Sequence, residues 1–178
     1  MYKPTAQPIG VQPISDHGGN KQCKYFEAEL KRYVGKSLGV KDGIELVWFT
    51  WIGPVFCLRL VETKEVVGYM NLDACDPDWG LRFKYYQSGV FIRKEYRGRK
   101  LGTVLYLGAL HVFRHLVSDP HIGIDAIHTW ASLSKYGYHV KLWSIESHMN
   151  IEFDFTPEGP KTAAGLMTNL EDTFLLYV

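Results

Sequence analysis

Apolar and polar positions follow two different rhythms along this chain. Over residues 21–38, Cys23, Phe26, Leu30, Tyr33, Val34 and Leu38 recur at helical spacing, with Lys24, Glu27, Glu29, Lys31 and Arg32 between them. That stripe predicts an amphipathic helix, and Gly39 is its expected stop. Residues 44–52, 55–62 and 65–73 are instead rich in Val, Phe, Trp and Leu, which suit a pleated surface. Gly53 and Pro54 separate the first run from the second, and Thr63 and Lys64 the second from the third, so an antiparallel meander is predicted. Residues 73–82 read as a loop, 83–93 as a fourth strand and 94–100 as a charged loop.

The helical rhythm returns with Leu101, Val104, Leu105, Ala109, Val112 and Leu116, widened by Leu107, Leu110 and Phe113. It predicts a largely buried helix over 101–117, with Gly108 as a weak point costing about 1 kcal/mol against alanine. Further on, the pattern predicts a fifth strand over 124–130, a short helix over 131–136 stopped by Gly137, and a sixth strand over 138–145. Residues 156–165 read as a loop and 172–178 as a final strand. Upstream, Pro4, Pro8, Pro13 and the pair Gly18 and Gly19 make residues 1–20 an extended or poorly ordered lead-in, with a short edge strand at 9–14. The expected organisation is that arm followed by one domain over 21–178. Strands joined by a long helix pair in parallel. The expected fold class is therefore α/β (α+β): a mixed central sheet of six to seven strands flanked by helices.

Composition narrows the functional classes. With 20 Lys and Arg against 19 Asp and Glu, the chain has no broad charge to bring it to nucleic acid or an anionic membrane. Three cysteines without metal-type spacing imply no disulfide framework. Free thiols, the absence of a signal-like start and the lack of an apolar run of roughly 20 residues lead to an expected cytoplasmic location. The 11 Tyr and 5 Trp either pack the core or line a ligand groove.

The segment with chemical content runs from Val90 to Thr103. A strand leads straight into a loop holding Gly98 and Gly102, and that loop opens the long helix. A helix start offers unpaired N–H groups and partial positive charge, which suit a phosphate. Arg93, Lys94, Arg97, Arg99 and Lys100 add local charge against Glu95 alone. The plain structural alternative is a solvated basic connection with glycines for the turn.

Glu95-Tyr-Arg-Gly-Arg-Lys-Leu-Gly102, following Val90-Phe-Ile92, resembles the acyl-CoA loop of the GNAT family of N-acetyltransferases. That family's pattern is Gln/Arg-x-x-Gly-x-Gly/Ala. Arg97 and Gly102 match its ends, Gly98 matches a commonly seen extra glycine, and Lys100 stands where the middle glycine would be. Lysine offers the same backbone N–H as long as the position needs no positive φ. The element order is similar to the family's over residues 21–178, and Gly137 with Tyr138 matches its later Gly-aromatic pair.

The resemblance implies an acyl-CoA-dependent N-acetyltransferase. Its cosubstrate is acetyl-CoA, and its acceptor is an amine on a small molecule or protein, attacking directly in a ternary complex. It implies backbone contacts from Phe91 and Ile92 to the pantetheine arm. Gly98, Arg99, Lys100, Leu101, Gly102 and Thr103, with Arg97, would hold the pyrophosphate. The cleft would lie between the strand ending at Ile92 and the one ending near Trp130. Tyr86 occupies the place of a glutamate base found in some members, and Leu133 that of a tyrosine acid. The candidate acids are therefore Tyr136 or Ser134, and the candidate bases Tyr86 or Asp73 through water. Acceptor-wall candidates are Trp79, Tyr85 and residues 156–165. No nucleic acid or membrane partner is expected, and the protein would be a monomer or homodimer. A catalytically degenerate acyl-CoA-binding module is the alternative.

Other constellations are weaker. His111 and His115 are four apart on the predicted helix, but no further metal ligands are evident nearby, and no metal is expected. His128 and Trp130 fall in the predicted fifth strand. Ser132-x-x-Lys135 lacks its companion motifs. Cys75 has no local histidine to activate it.

Overall fold

The computed structural model describes residues 14–119, 124–151 and 174–178. Its first element is α1 (Asp16–Arg32). The Ser15 hydroxyl caps it by accepting from Gly18 N–H at 3.1 Å. Asp16 in the first turn and Lys31 and Arg32 in the last complement the helix dipole. The helix thus starts before residue 21 and stops at Tyr33, which is extended. The residues beyond form a strand, β1 (Lys36–Lys41), where the sequence pattern had predicted more helix. β1 is exposed along nearly its whole length, so it shows no apolar alternation to read. The predicted edge strand at 9–14 lies outside the described residues except for Ile14, which is not in a strand.

The meander is present as β2 (Ile44–Thr50), β3 (Pro54–Leu60) and β4 (Val66–Ala74), followed by β5 (Tyr85–Ile92). All neighbours pair antiparallel in the order β1-β2-β3-β4-β5. Alternation along β3 fixes the layers. Phe56 and Leu58 face α2 (Leu101–Phe113), packing with its Leu105, Tyr106, Ala109 and Leu110. Val55 and Cys57 face α1, packing with Cys23 and Phe26. At Gly108 a Cβ would lie 2.5 Å from a Leu46 methyl, so the mid-helix glycine lets α2 settle against the sheet.

Beyond α2 the chain departs from the predicted order. The helix ends at Phe113 instead of running to 117, because Arg114 takes a left-handed conformation (φ 66°). Residues 116–118 then run as a short extended segment. Val117 makes a parallel bridge to Tyr86, and Gln87 N–H donates to Val117 C=O at 2.7 Å. The predicted parallel crossover is therefore realised, but at Val117. The stretch predicted as a fifth strand at 124–130 is instead α3 (Ile124–Ser132), continued by a 3-10 turn at Leu133–Tyr136. Its apolar residues Ile127 and Trp130 are three apart and both buried, as a helix face requires.

A second sheet holds β6 (Lys141–Ser144), β7 (Met149–Ile151) and β8 (Phe174–Tyr177) in the order β7-β6-β8. Residues 116–118 join it to the first. Leu116 and Val178 exchange two backbone bonds, Ser118 N–H donates to Leu176 C=O, and the Ser118 hydroxyl accepts from Leu176 N–H at 2.9 Å. The fold is mixed α/β, with a central sheet flanked by helices. Among the described residues no helix is long and apolar enough to cross a membrane.

Candidate functional site

Between β5 and α2 the backbone makes a 3-10 turn at Lys94–Tyr96, passes Gly98 at φ 75°, and enters the helix through Lys100 at φ 58°. Lys100 is the N-cap, yet it makes no side-chain cap bond. The first intrahelical donor is Val104 N–H, to Lys100 C=O. The N–H groups of Leu101, Gly102 and Thr103 precede that bond and point out of the helix start, where the dipole is positive. Around Gly98 there is open space, and at Gly102 a Cβ would come no closer than 4.0 Å to Thr129 of α3. These uncapped amides and glycine-lined approaches fit a phosphate group.

The five cations of this stretch, indistinguishable in sequence, have different employments. Arg93 is only 8% exposed and pairs with Glu65 and, at 3.1 Å, with Glu27. Glu27 also accepts from Val66 N–H, so Arg93 ties α1 to β4 and β5 instead of facing solvent. Arg97 pairs with Asp16, donates from Nε to Ile92 C=O at 2.9 Å, and lies over the Phe91 ring. Arg99 lies over the Tyr96 ring. Lys94, Arg97, Arg99 and Lys100 are exposed.

Beside this loop lies a strand edge with no strand partner among the described residues. Arg93 N–H donates to Val67 C=O of β4. By alternation, the backbone groups of Phe91 face β4, and those of Ile92 and Val90 face the opposite edge. Across that edge the bond from Gln87 to Val117 is the one backbone link to residues 116–118 among those described. A bulge sits at the same level, with the register shifting between Asn71 and Leu72 opposite Gly89 and Gln87. Bulges re-aim a strand where pairing ends. A gap thus closes at Gln87 and opens toward Ile92 and the start of α2. Gln87 is 4% exposed, and the Tyr106 hydroxyl of α2 donates to its Oε1 at 3.0 Å. Sequence reading gave neither residue a role, though Gly89 inside a strand pattern is the kind of signal that marks a bulge.

The candidate proton-transfer residues fall in separate places. Tyr86 stands opposite Asp73 in the β4–β5 register, and its ring meets Trp79 edge-on at 4.9 Å. Burial pushes its phenol above its ordinary value, and the charges of Asp73, Asp119 and Cys75 push it further. Ser134 and Tyr136 lie on the turn after α3. The Ser134 hydroxyl donates to Ala131 C=O at 2.8 Å, and Tyr136 is 51% exposed. The nearby Ser132 hydroxyl donates to Thr129 C=O and is 3.4 Å from that of Thr103, which brings α3 against the start of α2. No hydrogen bond or ring contact among the described residues joins Ser134 or Tyr136 to Tyr86.

Several weaker candidates are relocated. His115 lies past the end of α2, stacked on Phe83, so it shares no helix face with His111, and burial lowers its pKa. His128 is an exposed residue of α3, and Trp130 is buried against the Tyr106 ring. The second wall of the gap is therefore residues 116–118 and not a strand ending at Trp130. Tyr85 packs on Phe113 at the α2 side, away from Tyr86, and residues 156–165 lie outside the described residues. Burial raises the Cys75 thiol to about 11, which suits no nucleophile. Among the described residues no three His, Cys, Asp or Glu side chains gather as a metal would require.

Comparison with known proteins agrees with this geometry at one level. No curated protein matches the chain. The family model described as Acetyltransferase (GNAT) family matches residues 24–131, a span from α1 to α3 that contains the whole β5-loop-α2 junction. That match covers more than half of the 178 residues, and the chain belongs to the GNAT acetyltransferase family.

Proposed function

We propose that the protein transfers an acetyl group from acetyl-CoA to an amine of a small molecule or protein, both bound at once. Family membership suggests acetyltransferase activity in general, and the family generally binds acetyl-CoA. The observation that carries the reading for this chain is the uncapped start of α2 beside the edge of β5 opposite β4. The amides of Leu101, Gly102 and Thr103, with Gly98 leaving room, hold the pyrophosphate, and Arg99 and Lys100 add charge. Val90 and the Ile92 N–H offer backbone groups to the pantetheine arm in strand fashion, the Ile92 C=O being held by Arg97, which the Phe91 side chain supports. The cosubstrate supplies a thioester for the amine to attack.

Among the candidate acids and bases, Tyr86 is supported best. It stands at the closed end of the gap, and a phenol is protonated at neutral pH, the more so where burial raises its pKa. That suits a donor to the leaving thiolate more than a base. A second reading, a CoA-binding module without turnover, is supported by the Ser134 hydroxyl being committed to Ala131 and by the exposure of Tyr136.

Calorimetry with CoA, then thiol release from acetyl-CoA across a panel of amines, peptides and proteins, tests both readings. Tyr86→Phe is expected to keep CoA affinity and slow thiol release on the order of 100-fold. No CoA binding by the wild-type protein would overturn both readings. Binding without release on any acceptor would favour the second.

A further inference from the structure

We infer that Gln87 and Tyr106 are positioning residues, whose buried hydrogen bond sets the pantetheine-binding edge of β5 in register with the phosphate-binding start of α2. The inference rests on the CoA reading above. A ligand held by its phosphates at α2 and by its arm along β5 touches two elements. Both contacts form together only if those elements keep a fixed offset, and a displacement of about 1 Å can cost on the order of 100-fold in such arrangements.

The covalent link between the two elements runs along the surface. Residues 94–100 are exposed apart from a half-buried Tyr96, and they include Gly98 and a left-handed Lys100. Deeper in the molecule, Tyr106 is 1% exposed and donates to Gln87 Oε1 at 3.0 Å. The backbone N–H of the same Gln87 makes the one described link to residues 116–118, at 2.7 Å. Gln87 therefore joins α2, β5 and the far wall at the closed end of the gap.

The surroundings sharpen the point. Tyr106 sits in the main core cluster with Leu105, Leu110, Leu116 and Trp130, and the Trp130 ring lies against its own at 5.4 Å. A neutral hydrogen bond there nets only about 1 kcal/mol, and an apolar pair of similar shape would be nearly as stable. Close apolar packing resists sliding of a helix along a sheet without naming one pair of atoms, whereas a donor and its acceptor must meet at one distance and angle. What the pair contributes beyond an apolar substitute is the register itself.

The test compares two probes, CoA and its phosphoadenosine diphosphate portion alone, which lacks the pantetheine arm. The ratio of their dissociation constants measures what the arm adds. Tyr106→Phe should leave affinity for the nucleotide portion within about twofold and reduce the arm's advantage about tenfold. The double variant Gln87→Leu with Tyr106→Phe removes both partners of this bond, so thermal stability should recover part of the way to wild type, short of what the buried Trp130 indole N–H loses with the Tyr106 hydroxyl. Positioning requires that the arm's advantage stay lost in that double variant. If the advantage recovers together with stability, or is never lost in Tyr106→Phe, the bond is purely structural and the inference is wrong. Equal weakening of both probes in both variants would also overturn it, since a register shift spares the nucleotide end. Failure of the wild-type protein to bind either probe is a separate result, because it removes the CoA reading itself.

Discussion

Lys100 holds a left-handed backbone, at φ 58° and ψ 20°, on the step into α2. An L-residue there meets a steric penalty of roughly 1–2 kcal/mol that glycine escapes, although glycine loses more freedom on folding. Lys100→Gly should therefore raise the unfolding free energy by about 0.5–1 kcal/mol in urea titration. It should also weaken CoA binding and flatten its salt dependence, because a charge leaves the phosphate site. A loss of stability would mean that the lysine side chain holds the loop. The sequence displayed the lysine in place of the family's glycine, but not that the position still needs positive φ. The same limit hid the end of α2. Arg114 turns left-handed with no glycine or asparagine to announce it, so the helical stripe was read on to 117. Nor could the sequence sort Arg93 from its neighbours. Its partners Glu27 and Glu65 lie 66 and 28 residues away.

At the scale of elements, the mouth of the site depends on how α1 docks. Its first turns lie against the end of β5. Asp16 pairs with Arg97, and a Cβ on Gly19 would fall into the Phe91 ring. Phe91 is buried and packs against Tyr69, so the ring has little room to retreat. Gly19→Ala gains about 1 kcal/mol of helix propensity but forces overpacking that typically costs about 1–3 kcal/mol. A net loss of stability is expected, and with it weaker CoA binding, because Phe91 supports Arg97. An alanine variant as stable as wild type would show that α1 can shift without cost. Elements with at least one dry face were legible: the β2–β4 meander (dry on both faces along β3 and most of β4), β5, and the apolar stripes of α1 and α2. β1 is wet on both faces and gave no pattern. Residues 124–132 are short and apolar, a run in which strand and helix read alike. The strand that does cross the molecule, residues 116–118, was hidden because Leu116 also fits the stripe of α2.

Across the whole molecule, the two sheets meet along one short segment. β1 to β5 form a continuous antiparallel ladder with a helix on each face. β7-β6-β8, described over three or four residues of each strand, reaches the backbone of the larger sheet through residues 116–118. Among the described residues, that segment makes four hydrogen bonds to β8 and the chain end, at Leu116 and Ser118, and meets β5 at a single bridge, Tyr86 to Val117, with Gln87 N–H donating to Val117. Although Leu142 and Leu176 are buried in the main core, few backbone bonds cross from residues 116–118 to β5, so the smaller sheet should open along that seam below the free energy of global unfolding. Native-state hydrogen exchange should then show β6 and β8 amides exchanging by a sub-global route while β3 amides wait for complete unfolding. Ser118→Ala sharpens the test. It removes the hydroxyl that accepts from Leu176 N–H in a fully buried setting, a loss of about 1–3 kcal/mol. If the sheets are separate cooperative units, most of that loss appears in β6 and β8 protection and little in β3. Equal loss in both would mean that the molecule opens as one body. The division bears on the site because the gap runs along the seam. One wall, β5, belongs to the larger sheet and the other, residues 116–118, to the smaller one, so the Gln87 link is where opening of the second sheet would first widen the gap.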